Sequence, residues 1–302
     1  YLSQTNPITY NPDYGFSMIY RKWQGMEESS GYIGVAQSLA GDNWFTSYPI
    51  NENLPDGTPM STGRYPSIVM GSDGTNFAVW NEFTTDCSGG GNTCGRIFFN
   101  FNQITWYQDY PNDDMIDLNN GCATNPCYPE DLWQVQPQLI ETDDFWNLYT
   151  VSNSWSAGTN YFIKTTIQKS TGDYSNTDPL ALNVLDNDYN IFKMNTNGEG
   201  VITNLTSSNV VEYLITNDFG TTWENKTIPE DLLDLEFANA GYDQEQRDFF
   251  WNHESHLDSD GGLHIFVGVS FLYDDTTTAS YFHLYNAIPS NQDSWVINHI
   301  TD

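Results

Sequence analysis

Hydrophobic and polar residues alternate over short segments along almost the whole chain. The segments FSMIYRKW, NFAVWNEF, YFIKTTIQ and LHIFVGVSF are typical, and β-branched or aromatic residues fill many of their positions. A period of two places the apolar side chains on one face of an extended strand. Clusters of Asn, Asp, Gly, Ser and Pro separate these segments, as in antiparallel meanders. One stretch, PEDLLDLEFANAG at 229–241, has helical character, so the pattern predicts an almost all-β protein with one helix.

The predicted strands recur in a fixed order. Five times the chain passes from an extended stretch through a polar turn into a long strand, and the turns are marked by Gly15, Gly74, Phe145, Gly198 and Gly261. A later strand of each repeat starts near an aromatic residue, at Trp44, Trp106, Tyr174, Trp223 and Trp295. The polar turns and the aromatic strand starts recur together in each repeat. This double pattern predicts four strands per repeat, the number in a β-propeller blade.

The repeat therefore predicts one all-β domain over residues 1–302, folded as a five-bladed β-propeller of four-stranded blades. We place the blades at about 1–60, 61–133, 134–187, 188–246 and 247–302. A β-sandwich followed by a second β domain is the alternative, but it does not explain why two registers recur together.

The chain is strongly acidic, with 40 Asp and Glu against 9 Lys and Arg and a formal net charge of -31. Such a surface repels phosphates and anionic lipids, so we expect neither a nucleic acid partner nor membrane insertion. The aromatic content of 15% is still enough for a substantial core. The chain lacks an apolar run of membrane-spanning length and an initial signal peptide, and we expect a mature secreted or cell-surface protein.

Four cysteines form two local pairs. Cys87 and Cys94 flank one Gly-rich loop, and Cys122 and Cys127 flank a second short loop. These spacings differ from the CxxC pairs of zinc ribbons, so we predict the disulfides Cys87–Cys94 and Cys122–Cys127, with a four-thiolate zinc site as the alternative. Disulfides indicate an oxidising compartment.

The segment TNDFGTTW at 216–223 predicts a stabilised turn. An aspartate can accept hydrogen bonds from the amides of its own turn, a glycine can adopt positive φ, and an aromatic ring can pack on the sheet. The segment resembles the Asp-box of sialidases and other proteins with BNR-type repeats, with its pattern at Thr216, Asp218, Gly220, Thr222 and Trp223. SLAGDNW at 38–44 resembles a degenerate copy. The resemblance implies a propeller with its boxes away from any active site, and it implies six blades as an alternative count.

A sialidase would also need three arginines that bind the substrate carboxylate. The chain has four arginines, and Arg64 in GRYPSI resembles the Arg-Ile-Pro element of that family, with Tyr65 in place of isoleucine. Arg64 and Arg247 each precede a predicted inner strand. A five-bladed glycoside hydrolase would instead use axial carboxylates, for which Asp143 and Glu254 are candidates. If the protein is an enzyme, we expect catalytic residues among Arg64, Arg247, Glu254 and Asp143.

Other residues are candidates for ligand binding near the central channel or the blade tips, although most propeller tryptophans fill the space between blades. The candidates are Arg64, Trp80, Trp251, His253 and His256. His253 and His256 lie three apart in a strand, so we expect them on opposite faces and not in one metal site.

One acidic segment resembles the start of a calcium loop. DNDYN supplies alternating oxygen ligands at Asp186, Asp188 and Asn190. Calcium is the one cofactor that we consider, with loop turns as the rival interpretation.

Together these observations predict a secreted or cell-surface propeller that serves as a non-enzymatic binding, adhesion or structural module, with a glycan or a surface protein as its ligand. The alternative is a carbohydrate-active enzyme, namely a glycoside hydrolase, a sialidase-like enzyme or a polysaccharide lyase, with its site on the central axis.

Overall fold

The structure is a computed structural model, and it describes thirteen stretches of the chain. These are residues 5–22, 31–47, 50–51, 63–84, 94–102, 116–117, 132–154, 158–182, 190–205, 210–242, 247–273, 276–291 and 294–300. Nearly all secondary structure in them is β-strand, as the alternating pattern predicts, and the chain forms two compact units.

The N-terminal unit, Thr5–Ala181, contains three antiparallel sheets whose main strands are neighbours in chain order. The first sheet is β1 (Ile8–Asn11), β2 (Gly15–Lys22), β3 (Tyr32–Ser38) and β4 (Phe45–Ser47). The second sheet is β5 (Gly63–Met70), β6 (Asn76–Thr84), β7 (Cys94–Asn102) and β8 (Ile116–Asp117). The third sheet is β9 (Leu132–Glu141), β10 (Phe145–Ser154), β11 (Thr159–Gln168) and β12 (Tyr174–Asn176), and β13 (Leu180–Leu182) also pairs with β11.

The C-terminal unit, Leu182–Asp302, contains two more sheets of the same kind. One is β14 (Ile191–Met194), β15 (Gly200–Leu205), β16 (Val211–Thr216) and β17 (Glu224–Thr227). The helix α1 (Glu230–Asn239) follows, and the last sheet is β18 (Arg247–Leu257), β19 (Leu263–Tyr273), β20 (Thr276–Asn286) and β21 (Trp295–Ile300). The predicted helix is confirmed, and the described strands form five antiparallel sheets, four of them four-stranded and one five-stranded.

Each sheet buries apolar side chains against its neighbour in the same unit. Ile19 and Ile33 of the first sheet pack with Ile68, Trp80 and Phe98 of the second. A separate cluster joins the second and third sheets, and a third cluster fills the C-terminal unit around α1. These contacts remove large apolar areas from water, which is the main stabilising term of the fold.

The first strands of the three N-terminal sheets lie side by side. The Ser67 hydroxyl of β5 donates to the Val135 carbonyl of β9 at 3.2 Å and accepts from the Asn6 amide, just before β1, at 3.0 Å. Ser67 is fully buried. The Ser67 side chain thus connects β5 to β9 and to the segment before β1. These bonds help to position the strands relative to one another.

Candidate functional site: arginines at the ends of β2, β5 and β7

Two first strands are bulged near their starts. Between Arg64 and Ser67, β5 has one residue more than its partner β6, and β9 has one more than β10 between Trp133 and Gln136. Both bulges contain a residue other than glycine with positive φ, Tyr65 at 48° and Gln134 at 55°. Bulges re-aim side chains, and strained backbone of this kind is concentrated at functional sites. The two bulges therefore mark this end of the strands as the candidate site.

Three of the four arginines lie at this end of the N-terminal unit. Arg64 is the second residue of β5, and Arg96 lies near the start of β7, two strands away. Arg21 is at the end of β2. Burial and the neighbouring charge of Arg64 lower the pKa of Arg21, while Tyr65 acts in the opposite direction. Arg21, Arg64 and Tyr65 therefore form one electrostatic cluster.

A buried carboxylate lies on β6, next to the first residues of β5. Glu82 of β6 pairs with Gly63 on one side and with Arg96 on the other, and its side chain is fully buried. Its Oε1 accepts hydrogen bonds from Trp80 Nε1 at 2.8 Å and from Asn51 Nδ2 at 2.9 Å. Glu82 thus connects β6 to Asn51 and is not open to a substrate.

Two glycines allow the first and second sheets to approach closely here. Gly31 and Gly63 form a backbone bridge. A Cβ atom on Gly63 would lie 2.5 Å from Ile33 Cγ1, and one on Gly31 would lie 1.9 Å from the Lys22 carbonyl oxygen. The missing Cβ atoms let Arg21 and Arg64 come together from different sheets.

Several predicted site residues lie elsewhere. Asp143 is exposed in the turn between β9 and β10, at the opposite end of β9 from Gln134. Glu254 is exposed on β18 of the C-terminal unit. Arg247 and Trp251 are also in β18, and the structure describes only their backbone. Among the predicted catalytic residues with described side chains, only Arg64 belongs to this cluster, and its partners Arg21 and Tyr65 were not predicted as site residues.

Two predicted ligand-binding residues are buried. Trp80 has no exposed surface and belongs to the core between the first two sheets, so its prediction as a sugar-stacking residue is wrong. His253 is 3% exposed and bonds to the Thr203 hydroxyl through Nε2 at 2.9 Å, so its prediction is also wrong. Burial lowers the pKa of His253 to about 4. His256 is exposed, and the two histidines lie on opposite faces as expected.

The calcium and disulfide predictions fall mainly outside the described residues. Asp186 and Asp188 lie outside them, while Asn190 is buried and its Oδ1 accepts from Asn204 Nδ2 at 2.8 Å. Cys87, Cys122 and Cys127 also lie outside the described residues, and only the backbone of Cys94 is described. Both the calcium loop and the two disulfides stay predictions.

The TNDFGTTW turn has the hydrogen bonds that its residues suggest. It connects β16 and β17, the third and fourth strands of their sheet. Asp218 accepts from the Thr222 amide at 2.8 Å and the Thr222 hydroxyl at 2.7 Å, and Trp223 Nε1 donates to the Gly220 carbonyl at 3.1 Å. In the degenerate copy, Trp44 Nε1 makes the same bond to the Gly41 carbonyl at 3.1 Å.

Comparison with known proteins shows the fold but no family. No family model and no curated protein matches the sequence. A search of solved structures finds the polysaccharide lyase Uly1, with a TM-score of 0.55 and 14% identity over 99% of this chain and 72% of that one. An α-L-arabinanase from Penicillium chrysogenum has a TM-score of 0.44 and 10% identity over 79% and 67% of the two chains. An endo-arabinanase from Bacillus licheniformis has a TM-score of 0.41 and 11% identity over 96% of each chain.

The likeness to Uly1 supports a fold of the β-propeller type. Membership of the BNR or sialidase-like family is not shown, and it stays a prediction from the Asp-box segment. In the part of the chain that the structure describes, no helix is long and apolar enough to span a membrane.

The comparison also corrects the prediction of a non-enzymatic module. Uly1 is a polysaccharide lyase, so this comparison favours the carbohydrate-active alternative over a binding or adhesion module. The preference for a non-enzymatic module, which left enzymatic activity open, is contradicted. At 14% identity the likeness carries the fold alone, and the chemistry must be argued from the side chains of this chain.

Proposed function

We propose that the protein is an enzyme that cleaves an acidic polysaccharide, and that Arg21 and Arg64 bind the carboxylates of its sugar units. The observation that carries the proposal is the electrostatic cluster that these two arginines form with Tyr65 at a bulged strand. An anion between two guanidinium groups relieves their mutual repulsion, and the planar fork of arginine fits a carboxylate through two parallel hydrogen bonds.

The scarcity of basic residues in the whole chain strengthens the case that these strand ends bind an anion. The protein has only 9 basic residues among 302, and its net charge is -31. Arg21, Lys22, Arg64 and Arg96 nevertheless lie near the same end of β2, β5 and β7. A concentration of scarce positive charge is expected where an acidic chain must bind an anionic ligand.

The proposed reaction is β-elimination. A base removes the proton from the sugar carbon next to the carboxylate, and the freed electron pair forms a carbon–carbon double bond as the neighbouring glycosidic C–O bond breaks. The leaving oxygen then takes up a proton. Arginines on the carboxylate stabilise the negative charge that develops on it, which is where preorganised electrostatics lower a barrier most.

Tyr65 is the proposed proton-transfer residue. Its backbone at φ 48° departs from the regular strand directly after Arg64, and its ring contacts Trp133 edge-on with centroids 6.1 Å apart. This places a phenol hydroxyl on the same bulge as the proposed carboxylate ligand. A phenol can transfer protons within a positively charged site.

Glycosidic hydrolysis fits the cluster less well. It needs two carboxyl groups on either side of the glycosidic bond, about 5 to 9.5 Å apart. Glu82, at this end of β6, is fully buried and bonded to Trp80 and Asn51. Asp143 is at the other end of β9, so the two do not form such a pair.

The proposal includes the arrangement of the five sheets as five blades of one propeller over residues 1–302, in a secreted or cell-surface protein. The repeated four-stranded meanders and the propeller-type fold support this arrangement.

Incubation with uronate polysaccharides tests the function. Pectate, alginate and hyaluronan are offered as acidic polymers, and arabinan as a neutral one. We expect ultraviolet absorbance from an unsaturated uronate product with at least one acidic polymer and none with arabinan. New reducing ends without that absorbance would indicate hydrolysis, and no cleavage of any polymer would contradict the enzyme proposal.

Replacement of Arg64 tests the site itself. Arg64→Gln should lower kcat/KM by about 10²- to 10³-fold, the cost of removing one group that stabilises transition-state charge. Lys193→Gln on β14 removes the same charge outside the cluster and should leave the rate unchanged. Equal losses in both variants would point to net charge, and an unchanged Arg64 variant would remove the cluster from the mechanism.

A further inference from the structure

The indole of Trp133 is buried at the start of β9, beside the proposed proton-transfer residue. Trp133 is 2% exposed, and its ring meets the Tyr65 ring edge-on, with centroids 6.1 Å apart and planes at 90°. Close packing in a protein interior holds a buried side chain of this size in one orientation. The partly exposed Tyr65 ring therefore has a fixed surface on one side.

A glycine of the neighbouring sheet makes the space that Trp133 occupies. A Cβ atom on Gly95 of β7 would lie 2.6 Å from Trp133 Cε2 and 2.6 Å from the Leu132 carbonyl oxygen. Non-bonded atoms do not approach that closely, since carbon atoms pack best at about 3.5 to 4.0 Å. A glycine at this position thus lets β9 lie close to β7 and lets the indole rest on the backbone of Gly95.

A hydrogen bond holds the backbone that carries Trp133. Asn81 of β6 is fully buried, and its Nδ2 donates to the Leu132 carbonyl at 2.9 Å. Asn81 is also the strand partner of Arg64. One buried amide therefore lies opposite the proposed carboxylate ligand and bonds to the carbonyl directly before Trp133. This arrangement fixes Trp133 relative to Arg64, the neighbour of Tyr65 in the chain.

We propose that Trp133 is a positioning residue, which sets where the Tyr65 hydroxyl lies next to Arg64; this inference rests on the proposed function. The register of β5 and β6 shifts between Arg64 and Ser67, and Tyr65 has φ 48°. The regular alternation of side chains along a strand therefore does not set the direction of the Tyr65 ring, and packing against Trp133 does. Proton transfer needs hydrogen-bond distances, so a displacement of about 1 Å at the phenol is costly.

Steady-state kinetics on the polymer that is cleaved test the inference. Trp133→Phe and Gly95→Ala should each lower kcat by about 10- to 10²-fold and leave KM nearly unchanged, because binding of the carboxylate does not use the phenol. In a Tyr65→Phe background both substitutions should cost little more, since residues that act as a unit are not additive. Trp146→Phe is the matched control, because Trp146 of β10 is as deeply buried, and it should leave both constants unchanged.

A measurement without turnover separates this inference from the proposed function. Tyr65 is replaced by 3-fluorotyrosine, and the ¹⁹F resonance is recorded for each variant that thermal unfolding shows to be folded. The resonance should move in Gly95→Ala, which keeps the indole but displaces it, and should stay in place in Trp146→Phe. If no polymer is cleaved but the resonance moves in this way, the proposed function fails while Trp133 still positions Tyr65. An unmoved resonance in Gly95→Ala and Trp133→Phe, or equal kcat losses with and without the Tyr65 hydroxyl, would overturn the inference.

Discussion

At the scale of single residues, buried polar groups decide how the fold responds to pH. His253 is buried in the C-terminal unit, with Nε2 bonded to Thr203 and no partner for Nδ1 among the described residues. A protonated ring would bury a charge and a second N–H group without an acceptor. The folded state therefore keeps the imidazole neutral, and its pKa falls from 6.5 to about 4.

This residue should weaken the fold in mild acid. Between pH 6.5 and about 4 the unfolded chain binds a proton at His253 that the folded chain does not, so stability falls as the pH falls. From pH 7.5 to 5 the loss is about 2 kcal/mol for such a shift. Urea unfolding at both pH values should show a smaller acid loss for His253→Gln, by about that amount. An equal acid loss in both proteins would contradict the burial argument, and the exposed His256→Gln serves as control.

At the scale of elements, turns and bulges differ in how far they can be predicted from the local sequence. In the turn from Thr216 to Trp223, every side-chain hydrogen bond described joins residues at most four apart, so these bonds could be predicted from the sequence. The Phe219 amide, in contrast, donates to the carbonyl of Gly198, in the turn between β14 and β15, at 3.0 Å. Asp218 accepts from the hydroxyl and the amide of Thr222, and these bonds lower the pKa of its carboxyl group.

Removal of this carboxylate should destabilise the turn without affecting the candidate site. Asp218→Ala should cost about 1 kcal/mol of unfolding free energy, since the lost bonds are charge-assisted but partly exposed. Asp42→Ala is the control, because Asp42 in the degenerate copy accepts from the amide of its neighbour Asn43. Thermal unfolding measures the effect. A loss of catalysis with unchanged melting would mean that the turn belongs to the functional site.

The bulges in β5 and β9 could not be predicted in the same way. A bulge is a mismatch between two strands, and the residues on either side of this one, Arg64 and Ser67, pair with residues of β6 that the local sequence pattern does not identify. The sequence therefore predicted the strands and the helix, but not that Arg21 lies beside Arg64. That grouping depends on which strand ends become neighbours, and on the close approach at Gly31 and Gly63.

At the scale of the whole molecule, charge is the dominant feature. The net charge of -31 is the balance of 40 acidic and 9 basic residues. Repulsion between like charges destabilises a compact chain and favours any expanded state. The arginines at the ends of β2, β5 and β7 relieve this repulsion only locally, so the folded protein depends on counterions for part of its stability.

Salt should therefore stabilise the protein in a recognisable way. The Debye length shortens from about 30 Å at 0.01 M to about 10 Å at 0.1 M, so most of the repulsion is screened by about 0.2 M salt. We expect the melting temperature at pH 7.5 to rise steeply with NaCl over that range and then to level off. Sodium sulfate at the same ionic strength should give a similar early rise, because screening depends on ionic strength. A melting temperature that is flat at low salt and rises linearly above 0.2 M would indicate exclusion of salt from the protein surface, and the charge would then not limit the stability of the fold.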